Sequence, residues 1–398
     1  MQGNAAVENA ENGANTEARA QVPPSAAFAG NPASEGVLAI QPEIQPEIKP
    51  SLATCRAIVR NWEDLDLEEQ VARNRRRLDA LVIPYEKLFA DPTPLGARGK
   101  RSLIFMHIPK CGGTTLEHLI AKNYQVNGVL HINAPALLRN PRAVFKRGVF
   151  PRAVMGHHKL NQPLYQLASR AFVHITVLRE PVSRTLSYYN YLRTSEGHGK
   201  HDSVKGLTLE EFINSDELVE LDNAQALRLA GVLRRREIRR RRFGPETLEA
   251  AKETLTSRFS LFGLTERYDE FLIMLRRLLG WADIYYQRRN VSKGHTERAE
   301  IPAPVLDRIR ERNSLDLELY RFASELFQDR CDGLRITADT VARLCEANRV
   351  HTEIVQDPLI DRESRIEVEF LDKLARGELE RPEVVLDLPR EPGDSSAG

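Results

Sequence analysis

The chain has 398 residues, a formal net charge of +1, 41% hydrophobic and 28% charged residues. That length and composition suit one large α/β domain with appendages, or two small domains, each with a proper core. The balanced charge excludes a chain held to nucleic acid by its overall field, so any basic partner surface must be local and no nucleic-acid partner is expected.

In chain order, residues 1–50 are rich in Ala, Pro, Glu, Asn and Gly, with Phe28 as their only aromatic residue and a short tandem repeat, QPEIQPEIKP. The expectation is a disordered segment. A helical lead-in fills residues 51–100, where 57–79 read as a charged surface helix. The folded core is expected over 101–300. SLIFMH (102–107) reads as a short buried strand and TTLEHLIAKNY (114–124) as a helix. RAVMGH (152–157) reads as a second strand, and AFVHITVL (171–178) is apolar on both faces, as a central parallel strand should be. PVSRTLSYYNYLR (181–193) is helical, with Pro181 suited to its first turn. Helices follow at 207–215, 217–231 and 245–259, then a strand at SLFGLTE (260–266) and a helix at 267–280. A helical extension covers 301–377, with 303–347 clearly helical, and 378–398 reads as a flexible tail. Strands alternating with helices predict an α/β fold: a P-loop-like open parallel sheet of about five strands, flanked by helices.

The four cysteines, Cys55, Cys111, Cys331 and Cys345, lie far apart and form no C-x-x-C pair. Reduced thiols, with no disulfide framework or zinc site, are the expectation. No basic start followed by an apolar run opens the sequence, and no stretch approaches 18 apolar residues. A soluble, cytoplasmic protein without a membrane span is expected.

HIPKCGGTT (107–115) joins the first strand to the first core helix. A strand, a glycine-containing loop and a helix N-terminus make an anion site, because the first-turn N–H groups and the helix dipole both favour negative charge. Gly112 and Gly113 allow close approach, Thr114 and Thr115 add hydroxyls, and Lys110 adds a positive charge. The lysine precedes the glycine pair, unlike the G-x-x-x-x-G-K-[ST] loop of nucleoside triphosphatases. The following strands end in MGHH and VLRE, with no acidic metal ligand. No metal is expected, and magnesium-dependent phosphoryl transfer, as in a P-loop kinase, is disfavoured.

FMHIPKCGGTT resembles the 5′-phosphosulfate-binding loop of sulfotransferases that use 3′-phosphoadenosine 5′-phosphosulfate (PAPS), in particular the Golgi-type carbohydrate (family 2) branch. ITVLREPVSRTLSYYNYLR (175–193) resembles that family's 3′-phosphate motif. DNAQALRLAG (222–231), FGLTERYDEFL (262–272) and NVSKG (290–294) are similar to further phrases of the family, although Ala226 stands where Thr is common. The resemblance spans about residues 101–295. It implies a bacterial-type soluble member that takes PAPS as donor. The donor would contact Pro109, Lys110, Cys111, Gly112, Gly113, Thr114 and Thr115 at its 5′ end and Arg179 and Ser187 at its 3′-phosphate. Ser292 and Lys293 would lie in a loop closing over the nucleotide. Arg179 independently reads as a ligand residue, since it leaves the C-terminal edge of a central strand.

Sulfuryl transfer to an alcohol needs a proton acceptor. His157, just after the second strand, is assigned as general base on the family's GH phrase, and an imidazole with a near-neutral pKa suits the role. An ascending pH limb near 6–7 follows. His158 is the second candidate, and Glu266 and Glu117 are more distant ones. Lys110 would neutralise charge on the breaking bond. His107 is read as shaping the loop, His174 as a core residue, and Cys111 as chemically silent although a helix N-terminus lies beside it.

LRRREIRRRRFG (233–244) carries seven arginines and one glutamate. It reads either as a solvated surface helix or as a patch for an anionic acceptor. SEGHGKHD (195–202) reads as a mobile loop near the acceptor mouth. The acceptor implied is a glycan or glycoconjugate. Alternatives are a small-molecule or protein-tyrosine sulfotransferase, or a non-catalytic nucleotide-binding protein of the same fold.

Overall fold

The computed structural model describes residues 57, 61–62, 64–97, 100–124, 128–133, 151–232, 243–286 and 301–355. The segments 1–50 and 378–398, most of the arginine-rich run, and Ser292 and Lys293 lie outside these residues.

Five strands form one parallel sheet: β1 (Ser102–Met106), β2 (Val129–Asn133), β3 (Ala153–His157), β4 (Phe172–Leu178) and β5 (Leu261–Leu264), in the order β2-β3-β1-β4-β5. β1 lies between β3 and β4, with Ile104 aligned to Val154 on one side and His174 on the other. Every residue of β1 and β4 is buried, which is why both read as unbroken apolar runs. The fifth strand, β2, is the one the sequence reading passed over. It is short, sits at the sheet edge beyond β3, and carries His131 and Asn133.

Helices cover the sheet: α1 (Leu67–Leu81), α2 (Tyr85–Ala90), α3 (Gly113–Tyr124), α4 (Pro181–Thr194), α5 (His201–Val204), α6 (Leu209–Ile213), α7 (Ala224–Ala230), α8 (Pro245–Ser257), α9 (Tyr268–Leu279), α10 (Ala303–Arg312), α11 (Ser314–Gly333) and α12 (Ala338–Val355). The expected helix at 57–79 is divided by Asp66, whose side chain accepts from Glu69 N at 2.8 Å and starts α1 afresh. The expected continuous helix at 217–231 is a 3₁₀ turn at Val219–Leu221 followed by α7. The break falls at Asn223, held at φ 44°. Its side-chain oxygen accepts from Leu315 N and Asp316 N at the start of α11. The buried Asp316 carboxylate in turn accepts from Gln225 N and Ala226 N at the start of α7. Each helix thus caps the other.

The apolar interior has two parts. The larger packs both faces of the sheet, from Leu78 and Leu103 through Phe172, Phe262 and Trp281 to Phe327. The smaller gathers Val182, Leu186, Tyr189, Leu192, Phe212, Val305 and Ile309 from α4, α6 and α10. Among the described residues no helix is long and apolar enough to cross a membrane.

Candidate active site

The site lies at the C-terminal edge of β1, β3 and β4, where ligands bind in open α/β sheets. The loop after β1 turns through two left-handed residues, Lys110 (φ 70°) and Gly112 (φ 76°), and delivers the chain into α3 at Gly113. A Cβ at Gly113 would come within 2.2 Å of the His107 ring, so only glycine lets the loop close over that imidazole. Thr114 is exposed and Thr115 half-buried in the first turn of α3.

Other elements brace the loop. Arg184, buried on α4, donates from Nε to Pro109 O at 3.2 Å and from Nη2 to Glu220 at 2.6 Å. Arg228 donates to the same carboxylate. Burial pushes the Glu220 pKa up, but Arg228 and Arg184 outweigh it and hold it at about 2. The Tyr268 hydroxyl donates to Gly112 O at 3.3 Å. Arg184, which could have been taken for a phosphate fork, is therefore committed to the fold.

Arg179 follows β4. Its Nη1 donates to Lys110 O at 3.1 Å, and its buried Nε has no partner among the described residues. The Lys110 ammonium sits 3.9 Å above the ring of Tyr191 on α4. Burial lowers its pKa to about 8, and Arg179 and Arg184 add to the effect. Ser187 is half-buried one turn before Tyr191, so the two share a helix face. Two crowded cations, an unpartnered guanidinium N–H and the α3 N-terminus meet the requirements of a doubly anionic ligand.

His157 ends β3 with its side chain open to solvent. Its Nδ1 lies 2.9 Å from His107 O. A carbonyl only accepts, so Nδ1 carries the hydrogen and Nε2 is left with a free lone pair. The rings of His107 and His157 are 4.3 Å apart. Crowding by protein atoms is the main influence on the His157 pKa, lowering it, and the His107 ring acts in the same direction. His107 Nδ1 in turn meets Glu117 Oε1 at 2.8 Å, and His131 Nε2 meets the same oxygen at 3.2 Å. Burial pushes the Glu117 pKa up, but hydrogen bonds from these two histidines outweigh it and hold it well below the usual carboxylate range. Gly156 permits all of this: at φ 137° its carbonyl receives His107 N and His158 N, and a Cβ there would strike Ile132 O at 2.1 Å.

A model of the Sulfotransferase family matches residues 97–323. The chain belongs to the sulfotransferase family. It is 26% identical over 246 residues to bovine galactose-3-O-sulfotransferase 3, covering 55% of each chain. It is also 26% identical over 281 residues to heparan-sulfate 6-O-sulfotransferase 1 of Cricetulus griseus, covering 58% of this chain and 69% of that one. The chain thus spans little more than half the length of the galactose-3-O-sulfotransferases it matches.

Within this sulfotransferase scaffold, the residues expected from sequence do not all meet at the site. Lys110, Gly112, Gly113, Arg179 and His157 converge on one edge of the sheet, and Ser187 lies on α4 one turn before Tyr191. Cys111 does not join them as a ligand. It is fully buried, its Sγ reaches Gln225 Oε1 at 3.5 Å, and burial raises its pKa to about 12, the opposite of the lowering its place beside a helix start suggested. Pro109 enters only through its carbonyl, held by Arg184.

The other base candidates are buried away from the site or occupied elsewhere. His158 is 1% exposed, beside Tyr165. Glu266 accepts from Glu180 N and the Tyr320 hydroxyl. Glu117 is taken by its two histidines. His174 is a core residue, stacked on Phe259 and bonded through Nδ1 to Arg258 O. Sequence reasoning gave no role to Tyr191, Glu220 or Gln225. Gln225 stands inside the quoted DNAQALRLAG phrase, so a signal was there, but its partners lie 46 and 114 residues away.

Proposed function

We propose that this protein moves a sulfuryl group from PAPS to a hydroxyl of a carbohydrate, with His157 as general base. The observation that carries the reading is the 3.1 Å bond from Arg179 Nη1 to Lys110 O. It ties the Arg179 guanidinium to the backbone of the loop that carries Lys110, and His157 Nε2 is free on β3, next to β1. The named relatives act on galactose and on heparan sulfate, which supports a sugar acceptor. A cytoplasmic setting belongs to the same proposal.

PAPS would supply an activated sulfuryl group whose leaving oxygen develops negative charge. Lys110, Arg179, Ser187 and the first-turn N–H groups of α3 would hold the donor. The Lys110 ammonium would neutralise charge as it forms. His157 accepts the acceptor hydroxyl's proton at Nε2, while His107 O keeps the ring in the tautomer that leaves this atom free. The low pKa keeps the imidazole neutral at pH 7.

Calorimetry without added magnesium tests the donor side. The desulfonated product, 3′-phosphoadenosine 5′-phosphate, should bind more tightly than AMP or ATP. Arg179→Ala should weaken it by about 1.5–3 kcal/mol, as expected for a charge-assisted bond, with AMP nearly unaffected. Equal affinity for AMP and the bisphosphate would sink the reading. Label transfer from PAPS to galactose-terminated or heparan-type oligosaccharides tests the acceptor side.

A further inference from the structure

We propose that Gln225 is a positioning residue that sets the aim of Arg179, and that Asp316 extends this control to α11. The proposal rests on the donor role given to Arg179 above. β4 ends at Leu178, so Arg179 has no strand partner of its own. The Gln225 side chain takes that place: Arg179 N donates to its Oε1 at 2.9 Å, and its Nε2 donates to Arg179 O at 2.8 Å. A primary amide offers one acceptor and a donor in the same plane, as a neighbouring peptide group would. Both peptide groups flanking the Arg179 Cα are thereby fixed, and the direction of its side chain with them.

The same Oε1 meets Cys111 Sγ, and Arg179 Nη1 returns to Lys110 O. Gln225, Arg179, Lys110 and Cys111 close a circuit that registers the 3′-phosphate arginine against the 5′ loop. Gln225 is itself 1% exposed, and its backbone N–H is held by Asp316 Oδ2 at 3.1 Å, with Ala226 N on Oδ1 at 2.7 Å. The circuit is therefore anchored to α11 and not to the sheet alone.

Titration calorimetry of the full chain with 3′-phosphoadenosine 5′-phosphate and with AMP tests this, with melting temperature as a fold control. In Gln225→Leu the bisphosphate should lose about 10- to 100-fold in affinity while AMP changes less than about 2-fold, because only the arginine's aim is lost. Gln225→Glu keeps an acceptor for Arg179 N but loses the donor, and should fall between the two. It decides the matter if the leucine variant does not fold. Asp316→Asn, which keeps one of its two acceptor oxygens, should lose bisphosphate affinity by a smaller factor than Gln225→Leu. Wild-type selectivity for the bisphosphate that persists undiminished in the folded Gln225 variants overturns this proposal alone. A wild-type protein with no such selectivity overturns the donor reading as well.

Discussion

The sheet core and the smaller cluster among α4, α6 and α10 are both closely packed, yet they hold the site by different means. The sheet carries the loop, His107 and His157 on buried strands, so their separation is set by backbone pairing and by the fit of an imidazole under Gly113. The smaller cluster grips α4 through Val182, Leu186, Tyr189 and Leu192, leaving Tyr191 beneath the Lys110 ammonium of the loop, with Ser187 one turn before it. Between the two clusters run buried polar ties: Arg184 on α4 to Pro109 in the loop, and Glu220 to both Arg184 and Arg228 of α7. A donor would therefore rest mainly on the sheet edge, through Lys110 and Arg179, with Ser187 of α4 as the contribution of the helical cluster. Chemistry assigned to the sheet should be separable from binding assigned to the helices.

The largest test of that separation falls on the sheet side. His157→Ala should lower kcat by roughly 10²–10⁴-fold, the range for a lost general base, with bisphosphate affinity unchanged. Lys110→Ala should lower both, since its charge acts on bound donor and on the transition state. Near-normal turnover in His157→Ala would move the base elsewhere.

On the helix side, Phe212 is fully buried in the smaller cluster. Phe212→Ala should cost about 3–5 kcal/mol, and hydrogen exchange should quicken in α4, α6 and α10 before it does in β1 and β4. Equal loosening of the strand amides would mean that the two clusters open as one.

A smaller effect concerns pH. Burial lowers the pKa of His157 and His158, and takes His174 from 6.5 to about 3. Between about 3 and 6.5 the unfolded chain binds protons that these native rings refuse, so stability falls as pH drops through that window. His131, raised by Glu117 against the opposing effect of burial, acts with the opposite sign: its contribution is complete below 6.5 and fades above. The lowered rings, His198 and His351 among them, outnumber the raised one among the described residues, so the melting temperature should fall from pH 7 to pH 4, and a flat profile would contradict the burial of these rings. The ascending limb of kcat should likewise lie below pH 6, not at the 6–7 that an ordinary imidazole implied.

Much of the fold was legible because parallel strands buried on both faces must be apolar throughout. β1, β3, β4 and β5 each met that condition, with a turn or helix signal at the end. β2 did not, since an edge strand with His131 and Asn133 carries no such run. The broken helix at Asn223 was hidden because its side chain answers to backbone N–H groups 92 and 93 residues further on. In the site, Lys110, Arg179 and His157 could be read because each follows a strand end. Gln225, Glu220 and Tyr191 could not, because their work is done across contacts that leave no spacing in the sequence.

Lys110 adopts a backbone conformation that a side chain with a Cβ tolerates at a cost of roughly 1–2 kcal/mol, and that glycine would adopt freely. Anyone engineering this protein for heat resistance from its backbone angles alone would rank Lys110→Gly among the first changes to make. The variant should melt later and turn over hardly at all. If Lys110 has the role proposed for it, thermal endurance and catalytic rate are set against each other at this one position, and the natural residue would mark which of the two this chain keeps.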